Sequence, residues 1–229
     1  MRKTVRVLSI ALFVMLAVGL ATPGWAKPFK EARIYIEYNE SANDLGFHVS
    51  LDAEDWETLE IRDPHGTTIF DVDSAGGYTD LGLTELFFEG AEPNLDDFPL
   101  ADLLERFPEG TYKFIGRTVD DRQLSSNATL SHDVPAGPVL SATDVQPGAI
   151  TIHWAPVTGP AAILPDGVVN IVGYQVIVES FQVTLPATST QVTLPADFSA
   201  SLSRGEHLFE VLAIDASGNQ TISEGAFVK

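Results

Sequence analysis

The chain has 229 residues, with 13 Lys+Arg against 32 Asp+Glu, a formal net charge of −19 and no cysteine. So negative a surface repels phosphate backbones and anionic lipid, which excludes nucleic-acid binding. The missing thiols exclude disulfides, lipidated cysteine and thiol nucleophiles, so an exported chain of this kind must be held together by its core.

The first 26 residues read as a signal peptide. Arg2, Lys3 and Arg6 precede the apolar run Val7 to Leu20, and Gly24 and Ala26 place small residues at −3 and −1 of a cut after Ala26. The alternative is an uncleaved anchor, since the run is near the lower limit for spanning a bilayer. No second long apolar run is present, so stable membrane insertion is not expected after cleavage, and the destination is the periplasm or the exterior. Without this segment 10 bases face 32 acids, a net of −22. The acids are unevenly placed: residues 27–135 hold 24 with 8 bases, and residues 136–229 hold 8 with 2. Solubility is one reading of this asymmetry, and a cation-binding surface is the other.

Period-two alternation dominates the chain from Ile34 onward. Ile34, Ile36 and Tyr38 share a face, as do Phe47, Val49 and Leu51, then Leu59 and Ile61. Asp63-Pro64-His65-Gly66 is a hairpin turn leading into Thr67 to Val72. From Pro99 to Phe107 the spacing becomes helical, with Leu100, Leu103, Leu104 and Phe107 on one side and Pro108 as the stop. Gly110-Thr111-Tyr112 then opens an alternating strand in the manner of a tyrosine corner, and the last strand of this half is expected over Gln123 to Ser131. The run Val134-Pro135-Ala136-Gly137-Pro138 excludes helix and central strand, and marks a boundary between domains at 27–135 and 136–229. Beyond it Ile150, Ile152 and Trp154 share a face, and a Pro/Gly-rich loop runs from Pro156 to Gly167. Tyr174, Val176 and Val178 come next, then Val192 and Leu194, then Phe209, Val211 and Ala213. Asp215 to Asn219 supplies the turn before a final strand over Thr221 to Val228. The expected fold is all-β: two tandem antiparallel β-sandwiches, the first with a short helix.

Trp154, Gly173-Tyr174 and the run His207-Leu208-Phe209-Glu210-Val211-Leu212-Ala213 fall in the order seen in fibronectin type III modules, which residues 138–229 resemble. The first half is similar in architecture, with an immunoglobulin-like pattern. The resemblance implies binding, adhesion or spacing through protein–protein contacts at the cell envelope or surface. It departs at His207, where the family usually has a tyrosine whose hydroxyl is tied to upstream backbone. His207 is expected to substitute for that hydroxyl.

Catalytic signatures are missing: the sequence has no Gly-x-Ser-x-Gly elbow, no His-Glu-x-x-His, no phosphate loop and no dinucleotide fingerprint. The histidines at 48, 65, 132, 153 and 207 have no metal-ligand spacing, and His48 and His153 face away from their cores, which reads as solvated side chains. A non-catalytic protein is expected. Two surfaces are candidates for function. If separate strands Gly46–Asp52 and Glu57–Arg62 are joined by a loop, Asp52, Glu54 and Asp55 meet Asp120 and Asp121 at one tip of the sandwich. Five carboxylates on flexible loops suit Ca²⁺ as the candidate cofactor. Separately, Ile177, Leu208, Leu212 and Ile214 point outward as an apolar patch, which serves a protein partner or is covered by the first half or by the 156–167 loop. The alternative function is a carbohydrate-binding or accessory module of an extracellular enzyme system. That needs a flat row of exposed aromatics, to which Tyr35 and Phe70 would contribute.

Overall fold

The computed structural model describes residues 26–146 and 148–229, so the expected signal segment lies outside the described residues except for Ala26. In chain order the elements are β1 (Glu31–Asn39), β2 (Asp44–Arg62), β3 (Thr68–Asp73), α1 (Gly77–Leu81), β4 (Leu83–Glu89), α2 (Leu100–Arg106), β5 (Gly110–Thr118) and β6 (Gln123–Leu130). The second half continues with β7 (Asp144–Gln146), β8 (Ala149–His153), β9 (Ile171–Val178), β10 (Phe181–Pro186), β11 (Gln191–Thr193), α3 (Ala196–Ser201), β12 (Glu206–Asp215) and β13 (Gln220–Val228). The fold is all-β, and its short helices lie in the connections.

The largest departure from the sequence reading is β2. It is one strand of 19 residues, not two strands and a loop. Its first part pairs with β1 and β4, and its last part with β3 and β5. The ladder shifts register between Asp52 and Trp56 and again before Thr58. Bulges let a strand bend and pass from one sheet layer to the other, so this segment turns without leaving the sheet. Asp52 to Asp55 are therefore mid-strand residues. Ala53 and Trp56 point inward, at 1% and 0% exposure.

Two buried clusters result. In the first, Ile34, Ile36, Phe47 and Val49 meet Leu59, Ile61, Tyr112, Phe114 and Leu124, with Leu103 of α2 closing one end. The helical spacing at 100–107 thus does what its apolar face requires, and Phe107 stacks on Phe47 at 4.1 Å. The second cluster gathers Ile150, Ile152, Trp154, Tyr174, Val176, Phe209, Val211 and Phe227.

The halves are joined more closely than the Pro/Gly run suggests. β1 pairs in parallel with β13, Glu37 beside Gln220 and Asn39 beside Ile222. One sheet therefore runs β10-β9-β12-β13-β1-β2 through both halves, with β4 on the far side of β2. Asn219, 1% exposed, pins this seam. Its Oδ1 accepts from the Ile36 N–H at 2.8 Å, and its Nδ2 donates to the Ser131 and Asp133 carbonyls at 2.9 and 3.0 Å. Val134, Pro135, Gly137 and Pro138 are buried, and Ala161, Ile163 and Leu164 of the 156–167 loop pack against the first cluster.

Both corners anticipated from sequence are formed. Tyr112 Oη donates to the Pro108 carbonyl at 3.0 Å, and His207 Nε2 lies 3.0 Å from the Ser203 carbonyl. The glycines two residues earlier, Gly110 and Gly205, have φ of 135° and 136°. Side chains rarely adopt that conformation, which accounts for glycine at both.

Candidate functional site

The expected acidic tip is dispersed by the continuity of β2. Asp120 and Asp121 do sit in the β5–β6 turn, and the Val119 N–H bonds to the Asp55 carbonyl at 3.0 Å. Asp52 and Glu54, however, lie along the strand, and four of the five carboxylates are taken up by bases. Lys30 holds Asp52 at 3.0 Å, Lys27 and Arg122 hold Glu54, Arg122 holds Asp120 at 2.7 Å, and Arg117 holds Asp121. Hydrogen bonds from Lys27 and, for Asp120, from the Thr118 hydroxyl keep Glu54 and Asp120 below the usual carboxylate range, with Arg122 adding to both. The structure thus brings Glu54 and Asp120 together through one guanidinium, and makes of Asp52, Glu54, Asp120 and Asp121 a belt of ion pairs.

The apolar patch is also redrawn. Leu208 is 68% exposed, Ile177 and Ile214 are half-buried, and Leu212 is only 2% exposed. Leu212, expected in an outward patch that serves a partner or is covered within the chain, is buried at the seam and not available to a partner. Because β13 and then β1 extend the sheet, Leu212 lies in its interior, between Ile222 and Gln175 on the same face. The exposed apolar strip lies instead at the end of that face, where Ala226 sits beside Leu208 and Val228, 68% exposed, comes two residues later on β13.

The aromatics proposed for a sugar platform are occupied. Tyr35 lies between the Arg33 guanidinium, 5.1 Å from its ring centre, and the His48 ring, also 5.1 Å away. Phe70 stacks on Phe88 at 4.5 Å and packs against the first core.

His48 is the residue that alternation placed correctly and interpreted wrongly. It does face away from the sandwich core, yet it is 3% exposed. Tyr35 stacks on it from β1 and Phe87 approaches it from β4, 5.9 Å between ring centres. Its Nε2 lies 3.3 Å from Glu92 Oε1 and 3.8 Å from Glu37 Oε1, and its Nδ1 lies 3.8 Å from Glu89 Oε2 without a hydrogen-bond partner. Among the described residues, Glu37, His48 and Glu92 are the group of candidate ligands whose donor atoms all lie within 4.8 Å of one another. Burial pushes the Glu37 carboxyl up, and Glu92 and Glu210 add to this, while His48 and Gln220 oppose it.

Glu92 reaches this point because Gly46 leaves space for it. A β-carbon on Gly46 would stand 2.6 Å from Glu92 Cγ. The segment carrying Glu92 is folded over the start of β2 by Gly90 N–H to Phe47 carbonyl, 3.0 Å, and Leu95 N–H to Asn43 carbonyl, 2.8 Å. Gly46 inside an alternating strand was the available sign of a close approach. Nothing local marked Glu92 as the residue that makes it.

No protein-family model matches the chain, and no curated protein matches it in sequence. Solved structures similar to it include the two-fibronectin type III domain segment of chicken tenascin, 12% identical over 88% of this chain and 99% of that one, with a TM-score of 0.29. A 1.5-MDa bacterial ice-binding adhesin studied for host cell surface retention is 14% identical over 89% of this chain and 64% of that one, TM-score 0.28. The spore cortex lytic enzyme SleM of Clostridium perfringens is 17% identical over 42% of this chain, TM-score 0.34, and the match spans 28% of that enzyme. At such TM-scores the functional reading rests on the residues themselves. Among the described residues no helix is long and apolar enough to cross a membrane.

Proposed function

We propose that the chain is an exported, non-catalytic binding protein of two fibronectin type III-like or immunoglobulin-like sandwiches, residues 27–135 and 136–229, acting through protein–protein contact. The observation that supports this is the exposed aliphatic strip of Leu208, Ala226 and Val228, bordered on the same face by Glu210 and Glu224. Burial and the neighbouring Glu224 push the Glu210 carboxyl up, so a partner that brings positive charge relieves a local cost. The complementary surface is an apolar ridge flanked by Lys or Arg. The test is binding of the immobilised full chain to purified exported proteins of its own cell. A partner should be lost with Leu208→Lys and Val228→Glu while the thermal midpoint stays unchanged, and binding should weaken with salt. Binding untouched by both substitutions, or binding to oligosaccharide arrays instead, would reject this reading.

The ion-pair belt is proposed to serve the fold and not a cation. Unfolding midpoints in calcium and in sodium chloride at matched ionic strength should coincide. A calcium-specific rise removed by Asp55→Asn and Asp121→Asn would return Ca²⁺ to that rim.

A further inference from the structure

We infer that Glu37, His48 and Glu92 form a binding site for a divalent transition-metal ion of the Zn²⁺ type, built where the two halves of the sheet meet. The inference is independent of the protein-binding reading. Three observations carry it.

The first is spacing. Zn²⁺ binds histidine nitrogen and carboxylate oxygen at about 2.0–2.2 Å, so neighbouring donors on a tetrahedral ion stand about 3.4 Å apart. His48 Nε2 is 3.3 Å from Glu92 Oε1 and 3.8 Å from Glu37 Oε1. An ion enters between these atoms with shifts smaller than a bond length. One imidazole and two carboxylates suit Zn²⁺ or Mn²⁺ better than Ca²⁺, whose sites are built from oxygen.

The second is the buried, unpartnered Nδ1 of His48. A folded protein seldom leaves such an atom without a partner. A metal-bound histidine normally donates its other ring N–H to a carboxylate, which fixes the tautomer and the ring plane. Glu89 Oε2, 3.8 Å from Nδ1, stands where that carboxylate is required. Metal on Nε2 places the proton on Nδ1, and a small movement of the exposed Glu89 side chain completes the bond.

The third is preorganisation. The imidazole is held between Tyr35 and Phe87, and Glu92 is seated over Gly46. Gln220 Nε2 donates to Glu37 Oε2, leaving Oε1 turned toward His48. Gln220 belongs to β13, so the second half orients a ligand supplied by the first. The Glu92 side chain, 35% exposed, gives the ion a path from solvent.

The experiment uses the full chain without a polyhistidine tag, stripped with chelator and titrated with Zn²⁺ alone, with Co²⁺ as an optical reporter. We expect saturable binding of one ion per chain, a rise in unfolding midpoint and visible Co²⁺ absorption. Glu92→Gln, at a half-exposed side chain, should weaken Zn²⁺ binding at least tenfold, and Gly46→Ala should do the same by displacing Glu92. Gln220→Ala should weaken it by about tenfold, the usual cost of losing a group that orients a ligand. His48→Gln should abolish binding. Zn²⁺ affinity unchanged in Glu92→Gln and Gly46→Ala, or no saturable binding by the unaltered chain, would overturn the inference.

Discussion

The two halves close their corners with the same backbone and different chemistry. Gly110 and Gly205 adopt the same φ within a degree, and Tyr112 and His207 each reach the carbonyl four residues earlier at 3.0 Å. Tyr112 brings a neutral hydroxyl whose pKa burial pushes far up, with Asp63 adding to the shift. His207 brings a ring with a second nitrogen, and Glu179 Oε1 takes it at 2.6 Å. The Ser203 carbonyl and then Glu179 raise the His207 pKa above its ordinary value. What the corner needs is thus a donor at a set distance, and the identity of that donor decides whether the corner responds to pH. The halves differ likewise in their acids: the first is belted by paired carboxylates, and the second is sparsely charged.

The largest effects should come from the tryptophans, one per core. Trp56 is 0% exposed and Trp154 3%, and neither indole N–H has a hydrogen-bond partner. Truncation of either to alanine should cost about 3–5 kcal/mol. Calorimetry tests whether the halves respond alike. Because one sheet crosses both, each substitution should lower a single shared transition. A transition that splits, with only the altered half melting early, would show two sandwiches that merely touch.

Asn219→Ala sharpens that question at the seam. It strands the Ile36 N–H and two carbonyls in a buried place, at about 2–4 kcal/mol in sum. The expected signature is a shared transition becoming two, because the lost bonds lie between the clusters and not within either. A loss under about 1 kcal/mol with one transition retained would mean that the β1–β13 ladder alone couples the halves.

The contrast between seam and cores also shows how much the sequence discloses. Alternation identified the sandwich-core residues of β1, β9 and β12 because the core takes one face of each strand, which writes a period of two into the chain. The helical spacing of Leu100, Leu103, Leu104 and Phe107 was equally legible. β2 was misread because a bulge is a local change of register, and Asp52-Ala53-Glu54-Asp55 has the composition of a loop. The seam was hidden for another reason. Parallel pairing between β1 and β13, at opposite ends of the chain, leaves no local pattern, and without it Leu212 looks like part of an outward apolar patch and His48 like a solvated side chain. The metal site depends on the same long-range pairing: Gln220, Glu37, His48 and Glu92 come from four separate segments.

A smaller effect separates the two corners. Tyr112→Phe leaves the Pro108 carbonyl without its donor and should cost about 1–2 kcal/mol, independent of pH between mild acid and mild base. His207→Tyr tests the reverse exchange, since it restores a neutral hydroxyl in the second half. A variant that folds with the unaltered stability near neutrality would show that the corner accepts either donor.

The smallest expected effect is the pH dependence itself, and its sign is fixed by the direction of the shift. A histidine whose pKa is raised on folding contributes stability that is fully present below its unfolded value of about 6.5 and is lost as pH rises through the higher folded value. The unaltered chain should therefore lose more stability between about pH 6 and about pH 8.5 than His207→Tyr does, read as the difference in unfolding midpoint. Glu179 provides an internal control. It sits at the β9–β10 turn with φ 48°, a left-handed conformation more usual for glycine or asparagine. Glu179→Gly relieves that backbone while removing the carboxylate from His207. It should reduce the pH dependence, leaving the part due to the Ser203 carbonyl, without a large loss of stability, because the turn gains what the ring loses. If the pH dependence survives Glu179→Gly unchanged, the Ser203 carbonyl alone holds the His207 proton, and the two corners differ only in the atom that donates.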